Sequence, residues 1–177
     1  MLRLRPFKPA DAPIIAGWIR TETELRKWSS DRYESFPVTG DDINEKYIIH
    51  NGDCSQSDNF YPMTAFDESG VAGHFILRYT DSEKAILRLG FVIVDDARRG
   101  KGYGREMLSL AVKFAFEIFR AEKLTIGVFA NNPSAVRCYK SVGFTEVGSE
   151  EYTIMGENWT CIEMEMKNAA QMKISDA

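Results

Sequence analysis

The stretch from Ile86 to Phe119, ILRLGFVIVDDARRGKGYGREMLSLAVKFAFEIF, decides the fold. Its first nine residues, Ile86 to Val94, are strongly apolar and predict a strand near the centre of a sheet. Arg98 to Arg105, RRGKGYGR, then sets three glycines among four cations. Behind this loop Met107, Leu110, Ala111, Phe114, Phe116 and Ile118 recur largely at helical spacing and predict a helix reaching about Arg120. A helix N-terminus offers unpaired N–H groups and a partial positive charge, and glycines let backbone approach a ligand without Cβ interference. Strand, loop and helix together predict a seat for a pyrophosphate.

The common nucleotide motifs do not fit that seat. A P-loop requires Ser or Thr after its lysine, and Gly102 follows Lys101. A dinucleotide fingerprint requires a third glycine where Arg105 stands. The pattern present is Arg99-x-x-Gly102-x-Gly104.

Outward from this centre, Leu2 to Phe7 alternates apolar and basic residues and reads as an edge-like strand. Pro9 and Asp11 open a helix with Ile14, Ile15, Trp18 and Ile19 on its apolar face. Thr21 to Lys27 reads as a short helix, 28–38 as irregular chain, and Thr39 with Asp42 as a capping box whose helix runs to about His50. Residues 51–59 form a polar loop. Strands are expected at Phe60 to Phe66 and Val71 to Tyr79. Downstream come a strand at Lys123 to Phe129, a helix at Pro133 to Val142 and two strands, Thr145 to Ile154 and Trp159 to Lys167, joined by a turn at Gly156 to Asn158. The expectation is a mixed α/β domain over residues 1–167 with a frayed tail at 168–177. Its sheet has about six to seven strands, mixed but mostly antiparallel, flanked by helices.

Composition narrows the classes. The 177 residues are 44% hydrophobic and 27% charged, and 22 basic against 26 acidic residues give a net charge of −4. That balance argues against non-specific nucleic-acid binding, which needs a basic surface. Cys54, Cys138 and Cys161 are odd in number with no CxxC pair, and His50 and His74 are the two histidines. A disulfide framework and a metal site are not expected. No apolar run reaches membrane-spanning length. The reading is a reduced cytoplasmic protein with no nucleic-acid or membrane partner; a homodimer is compatible with it.

One strand after the loop comes Asn132-Pro-Ser-Ala135-Val-Arg-Cys-Tyr139-Lys-Ser-Val-Gly143-Phe144. The pair of motifs, in this order and with a strand between them, resembles the GNAT acetyltransferases, RimI/RimJ-like, over about Phe60 to Lys167. The first part of the chain is only loosely like that family's variable substrate-binding half. The resemblance implies acetyl-CoA as co-substrate and an amine as acceptor, from a small molecule, peptide or protein. It implies that the backbone of Val92, Ile93 and Val94 pairs with the pantetheine arm. It implies that Arg99, Gly100, Lys101, Gly102, Tyr103, Gly104 and Arg105 hold the pyrophosphate and that Asn132 touches the coenzyme. It also implies that Tyr139 protonates the departing thiolate, a role that a phenol can fill on chemical grounds alone, weighed against a ring that simply packs in the helix–sheet interface. Other classes that fit are a non-catalytic acyl-CoA sensor on the same fold and a nucleotide-binding regulator, the latter disfavoured by the failed motifs.

One position departs from the pattern. Peptide-acetylating relatives often carry Glu five residues ahead of the Asn, and this chain has Gly127 there. An amine of pKa about 10.4 costs about 4 kcal/mol to deprotonate at pH 7.5, so some group or water must assist. His74, expected across from Phe91 or Val92, is the candidate base, weighed against an ordinary strand histidine. Glu22, Glu24 and Asp31 are candidates to hold a cationic amine, and Trp28, Tyr33 and Phe36 to line an acceptor pocket, each weighed against plain surface or core roles. Cys138 has no neighbour in sequence to activate it as a nucleophile.

Overall fold

The computed structural model describes residues 1–172. Seven strands form one sheet in the order β1-β2-β3-β4-β5-β7-β6. They span Arg3–Pro6 (β1), Tyr61–Asp67 (β2), Gly70–Tyr79 (β3), Ile86–Val94 (β4), Lys123–Phe129 (β5), Thr145–Ile154 (β6) and Glu157–Lys167 (β7). Every neighbouring pair is antiparallel except β4 and β5. The helices are α1 (Ala12–Gly17), α2 (Glu22–Ser29), α3 (Gly40–Asn44), α4 (Tyr103–Lys113), α5 (Pro133–Val142) and α6 (Ala169–Met172).

The sheet is covered on both faces, and strand alternation assigns the residues to each. Phe75, Leu77, Leu87, Leu89, Leu124, Ile126, Val128 and Met164 pack with Met107, Leu108 and Ala111 of α4 and Tyr139 of α5. Ile76 and Ile93 face the other way, into a cluster with Ile15, Leu25, Ile43 and Tyr47 from the N-terminal helices. β3 is therefore buried on both sides from Ala72 to Leu77. β6 lies at the sheet edge and is exposed along nearly its whole length.

The differences from the expected elements have local causes. The helix after the glycine loop is α-helical only to Lys113; Phe114–Ile118 form a π turn, and the wider turn leaves Ile118 66% exposed although its spacing placed it in the core. A second π turn, Glu45–Ile49, ends the helix begun by the Thr39–Asp42 capping box. The β6–β7 turn is two residues, Met155 and Gly156, both with positive φ, so it comes earlier than Gly156 to Asn158 and β7 starts at Glu157. At the C-terminus Asn168 is tied down, its N–H donating to Glu122 O at 2.8 Å and its Nδ2 to Ala121 O at 3.0 Å. Ala169–Met172 make a helical turn, which shortens the expected tail; residues 173–177 lie outside the described residues.

Asp11 anchors the N-terminal helices to the sheet. It is 3% exposed and accepts bonds from Arg5 Nη1 and Nη2 (2.7 and 2.8 Å), the Lys8 N–H (2.9 Å) and Thr64 Oγ1 (2.8 Å). Burial pushes the pKa of Asp11 up, but these four bonds outweigh it and hold the carboxyl below its ordinary value near 4. A depressed carboxylate adds stability that is present above the unfolded pKa and lost as pH falls through the folded one. Asp11→Asn should cost about 3 kcal/mol at pH 7. In urea titrations the gap between wild type and variant should narrow below about pH 4; a gap that stays constant from pH 7 to 3 contradicts this role.

Candidate functional site

β4 and β5 run together and then part. They pair from Ile86↔Lys123 to Leu89↔Ile126 and no further. Beyond that point β4 stays with β3 and β5 stays with β7, so 90–94 and 127–129 flank a wedge with one free edge on each side. The cause on the β4 side is one extra residue. Ile76 faces Gly90 and His74 faces Ile93, so two steps on β3 match three on β4. Phe91 sits in this bulge at φ +48°, a conformation that costs a bulky side chain about 1–3 kcal/mol. Its ring packs against Trp28 (centroids 5.3 Å apart) and Tyr47 (6.0 Å).

The glycine loop lies at the open end of the wedge. Gly100 and Gly102 take φ +74° and +88°, and a Cβ at either would meet no heavy atom within 4 Å. The space above them is thus free for a ligand. Gly102 is the N-cap of α4, and the first helical bond runs from the Glu106 N–H to Gly102 O, leaving the N–H groups before it without helical partners. Arg105 is exposed on the first turn. These features fit a pyrophosphate.

Three side chains expected at the phosphate are engaged elsewhere. The Arg99 guanidinium donates to Val94 O, Trp18 O and Glu24 Oε1, each at 3.1 Å. It clamps the end of α1 and the start of α2 onto the end of β4. Lys101 Nζ folds back to Ala97 O at 2.8 Å. Tyr103 OH donates to Asp67 Oδ2 at 3.3 Å, beneath the Arg98 guanidinium. At these three positions the side chains brace the loop.

α5 meets the same end of the sheet. A Cβ built on Gly104 would lie 3.4 Å from Cys138 Sγ and 3.8 Å from Val94 Cγ2. Tyr139, next to Cys138, is 7% exposed beside Phe144. Burial, and secondarily Cys138, raise its pKa, so the phenol keeps its proton at neutral pH. Asn132 caps α5 through Oδ1, which accepts from Ser134 Oγ (3.2 Å) and the Ala135 N–H (3.4 Å).

His74 does not suit a base. The bulge moves its partner from the expected Phe91 or Val92 to Ile93. Its side chain is 0% exposed, with Nε2 2.7 Å from Tyr47 OH. Burial lowers its pKa to about 3 against the opposing pull of the Met63 backbone, so it is neutral and enclosed across the working pH range.

On the face opposite α4 and α5, a cavity of 240 Å³ opens over the mouth of the wedge. Its lining includes Gly90 and Phe91 of β4, Gly127 and Phe129 of β5, and Trp28 and Asp31 from the N-terminal half. Trp28 stacks on Tyr33 at 5.8 Å. Glu22 and Glu24 are paired with Arg26 and Arg99, which leaves Asp31 as the one of those three acids on the cavity wall. Sequence reasoning missed what fills the room above Gly127. A Cβ there would come within 2.7 Å of Arg88 Nη2 and 3.0 Å of Glu163 Oε1. Arg88 and Glu163 form a two-bonded ion pair (2.8 and 3.0 Å) between residues 75 apart in sequence, which no local motif signals. The described residues contain no group of three or more His, Cys, Asp or Glu able to hold a metal ion.

Comparison with known proteins yields a family and relatives. Residues 1–145 match the family described as "Acetyltransferase (GNAT) domain". Spermidine N(1)-acetyltransferase of Vibrio cholerae is 26% identical over 157 residues, spanning 88% of this chain and 86% of that protein. The Escherichia coli K12 enzyme of the same name is 25% identical over 166 residues, 92% of this chain and 84% of that one. The crystal structure of the Vibrio cholerae spermidine N-acetyltransferase with CoA and spermine superimposes with a TM-score of 0.78 at 24% identity, covering 97% of this chain and 98% of that one. That superposition establishes likeness of fold. These relatives lend no support to the narrower RimI/RimJ-like subtype.

The loop geometry makes one substitution decisive. Gly102→Val places a branched Cβ in the open approach to the helix N-terminus and in a backbone region that valine avoids. Calorimetry should find coenzyme A affinity reduced at least about 10-fold, with the circular dichroism spectrum retained. Unchanged affinity would place the phosphates elsewhere.

Proposed function

We propose, from the premise that this chain belongs to the GNAT acetyltransferase family and is an acetyl-CoA-dependent N-acetyltransferase acting on a primary amine, that its acceptor is a small molecule seated in the 240 Å³ cavity. Transfer is direct, within a ternary complex. One observation carries this reading: the wedge and the cavity share their walls, since Gly90, Phe91, Gly127 and Phe129 belong to both.

The residues divide the work by position. The free edge of Val92 to Val94 accepts the extended pantetheine arm as an added strand. The N–H groups from Gly102 to Arg105, with the Arg105 charge, hold the pyrophosphate, and Asn132 borders the arm. When bound, acetyl-CoA supplies a thioester whose cleavage leaves a thiolate. Tyr139, kept protonated by burial, holds the proton that this sulfur takes at its phenolic oxygen. No side chain at 127 can serve as base, because Arg88 and Glu163 fill that space. Water in the cavity therefore takes the ammonium proton.

The polyamines named for the relatives are one class of acceptor to test. Residues 1–167 form one catalytic domain in this reading. The free thiols of Cys54, Cys138 and Cys161 agree with a cytoplasmic site of action, and the net charge of −4 agrees with the absence of a nucleic-acid partner. A homodimer is compatible with the exposed edge of β6.

Tyr139→Phe keeps the ring and removes the hydroxyl, so kcat should fall about 10²- to 10⁴-fold while acetyl-CoA affinity barely moves. Single-turnover kinetics with calorimetry separate the two. Wild-type kcat with chemistry rate-limiting would return Tyr139 to a packing role.

A further inference from the structure

The acceptor cavity carries donors and cations without acceptors to match. Arg78, on β3 directly across from Arg88, is half-buried on the cavity wall, and its guanidinium makes no ion pair or hydrogen bond among the described residues. Lys27 and Arg32 line the same cavity, also without an ion pair. The indole Nε1 of Trp28, another wall residue, is buried with no hydrogen-bond partner. Arg88 is the one cation on the wall with a carboxylate, Glu163.

The nearby acids do not balance this excess. Among the described residues Asp31 is the only carboxylate lining the cavity, and it is exposed. Arg78 also borders an adjoining cavity of 380 Å³ whose acids are Asp53 and Asp81. Asp53 pairs with Lys46 at 2.8 Å, and Asp81 accepts the N–H groups of Ala85 and Ile86. Burial lowers the pKa of Arg78 against an opposing pull from Cys54, and Arg88 and Arg32 lower it further. Such a guanidinium gains most from a ligand oxyanion, which it can bind with two parallel bonds.

The coenzyme is not that ligand. Arg78 stands level with Arg88, and Val94, the last residue of β4 before the glycine loop, lies six positions beyond Arg88. At about 3.4 Å per residue this is roughly 20 Å from the pyrophosphate seat, on the sheet face away from α4.

We infer that the acceptor is a small primary amine that also carries an anionic oxygen group, carboxylate or phosphate, and that Arg78, with Arg32 and Lys27 around the rim, binds that group. The inference rests on the proposed acetyl transfer and names its substrate class. It separates this chain from its polyamine-acetylating relatives: a tri- or tetracationic chain would meet a wall of like charge, whereas an amine with an anionic tail meets complementary charge at one end and the wedge at the other.

The test uses matched amines with acetyl-CoA: 4-aminobutyrate against butylamine, phosphoethanolamine against ethanolamine, and spermidine alone. The anionic member of at least one pair should be preferred about 10-fold or more in kcat/KM, through KM, and the pair that shows it tells carboxylate from phosphate. Arg78→Gln should bring that ratio toward one, Arg78→Lys should retain part of it, and Arg32→Gln, on exposed chain, should lower it with no risk to folding. Preference for spermidine or the neutral amines, or an anion preference unchanged in both Gln variants, overturns this inference and leaves the acetyltransferase reading standing. Failure to acetylate any amine, spermidine included, overturns the proposed function itself.

Discussion

The parting of β4 from β5 is the constraint on which the rest of the molecule depends. Parallel strands normally pair along their length, and an unpaired backbone edge inside a domain leaves N–H and C=O groups without partners. Here pairing stops at Leu89 and Ile126, and the extra residue at Phe91 carries β4 away with β3. The strain at Phe91 is offset by aromatic packing on Trp28 and Tyr47, residues of the N-terminal half. The variable half of the fold thus does more than wall a pocket. It holds open the edge on which an extended ligand can add as a strand.

The same half is fastened at two further places. Asp11 locks the start of α1 to β1 and β2, and Arg99 ties the ends of α1 and β4 together at the glycine loop. Arg99 lies in the loop by sequence but works as a strut between the N-terminal helices and the end of β4. Loss of that strut would loosen the loop and α2 together, because Glu24 sits in the first turn of α2.

The part of the fold written in local periodicity was legible from the chain alone. β4, β5, α5 and β6 have the bounds predicted from the chain: β4, β5 and α5 because apolar spacing and caps mark them, and β6 because it lies between the Gly143 end of α5 and the Gly156 turn. Legibility ended where non-local packing decides. Neither π turn has a sequence signal strong enough to show that Ile118 leaves the core. The bulge at Phe91 inserts a residue only relative to β3, so the partner of His74 could not be fixed from one strand. The side chains of Arg99 and Lys101 carry the right charge for a phosphate, yet nearby carbonyls claim them first. Gly127 read as a missing base, whereas its physical meaning is room for the Arg88–Glu163 pair. No spacing rule links Arg78, Lys27, Arg32 and Trp28, which converge only once α2 lies on the face of β3 and β4.

The central claim is that the free edge of β4 is the docking edge for the coenzyme arm. Amide hydrogen exchange, resolved to single residues and measured with and without coenzyme A, tests it most directly. The account predicts slowed exchange at amides between Phe91 and Val94 together with those from Gly102 to Arg105, because the strand edge and the helix N-terminus are engaged by the same molecule. Protection confined to the helix N-terminus, with 91–94 exchanging as fast as in the free protein, would contradict it: the phosphates would be held while the arm ran elsewhere.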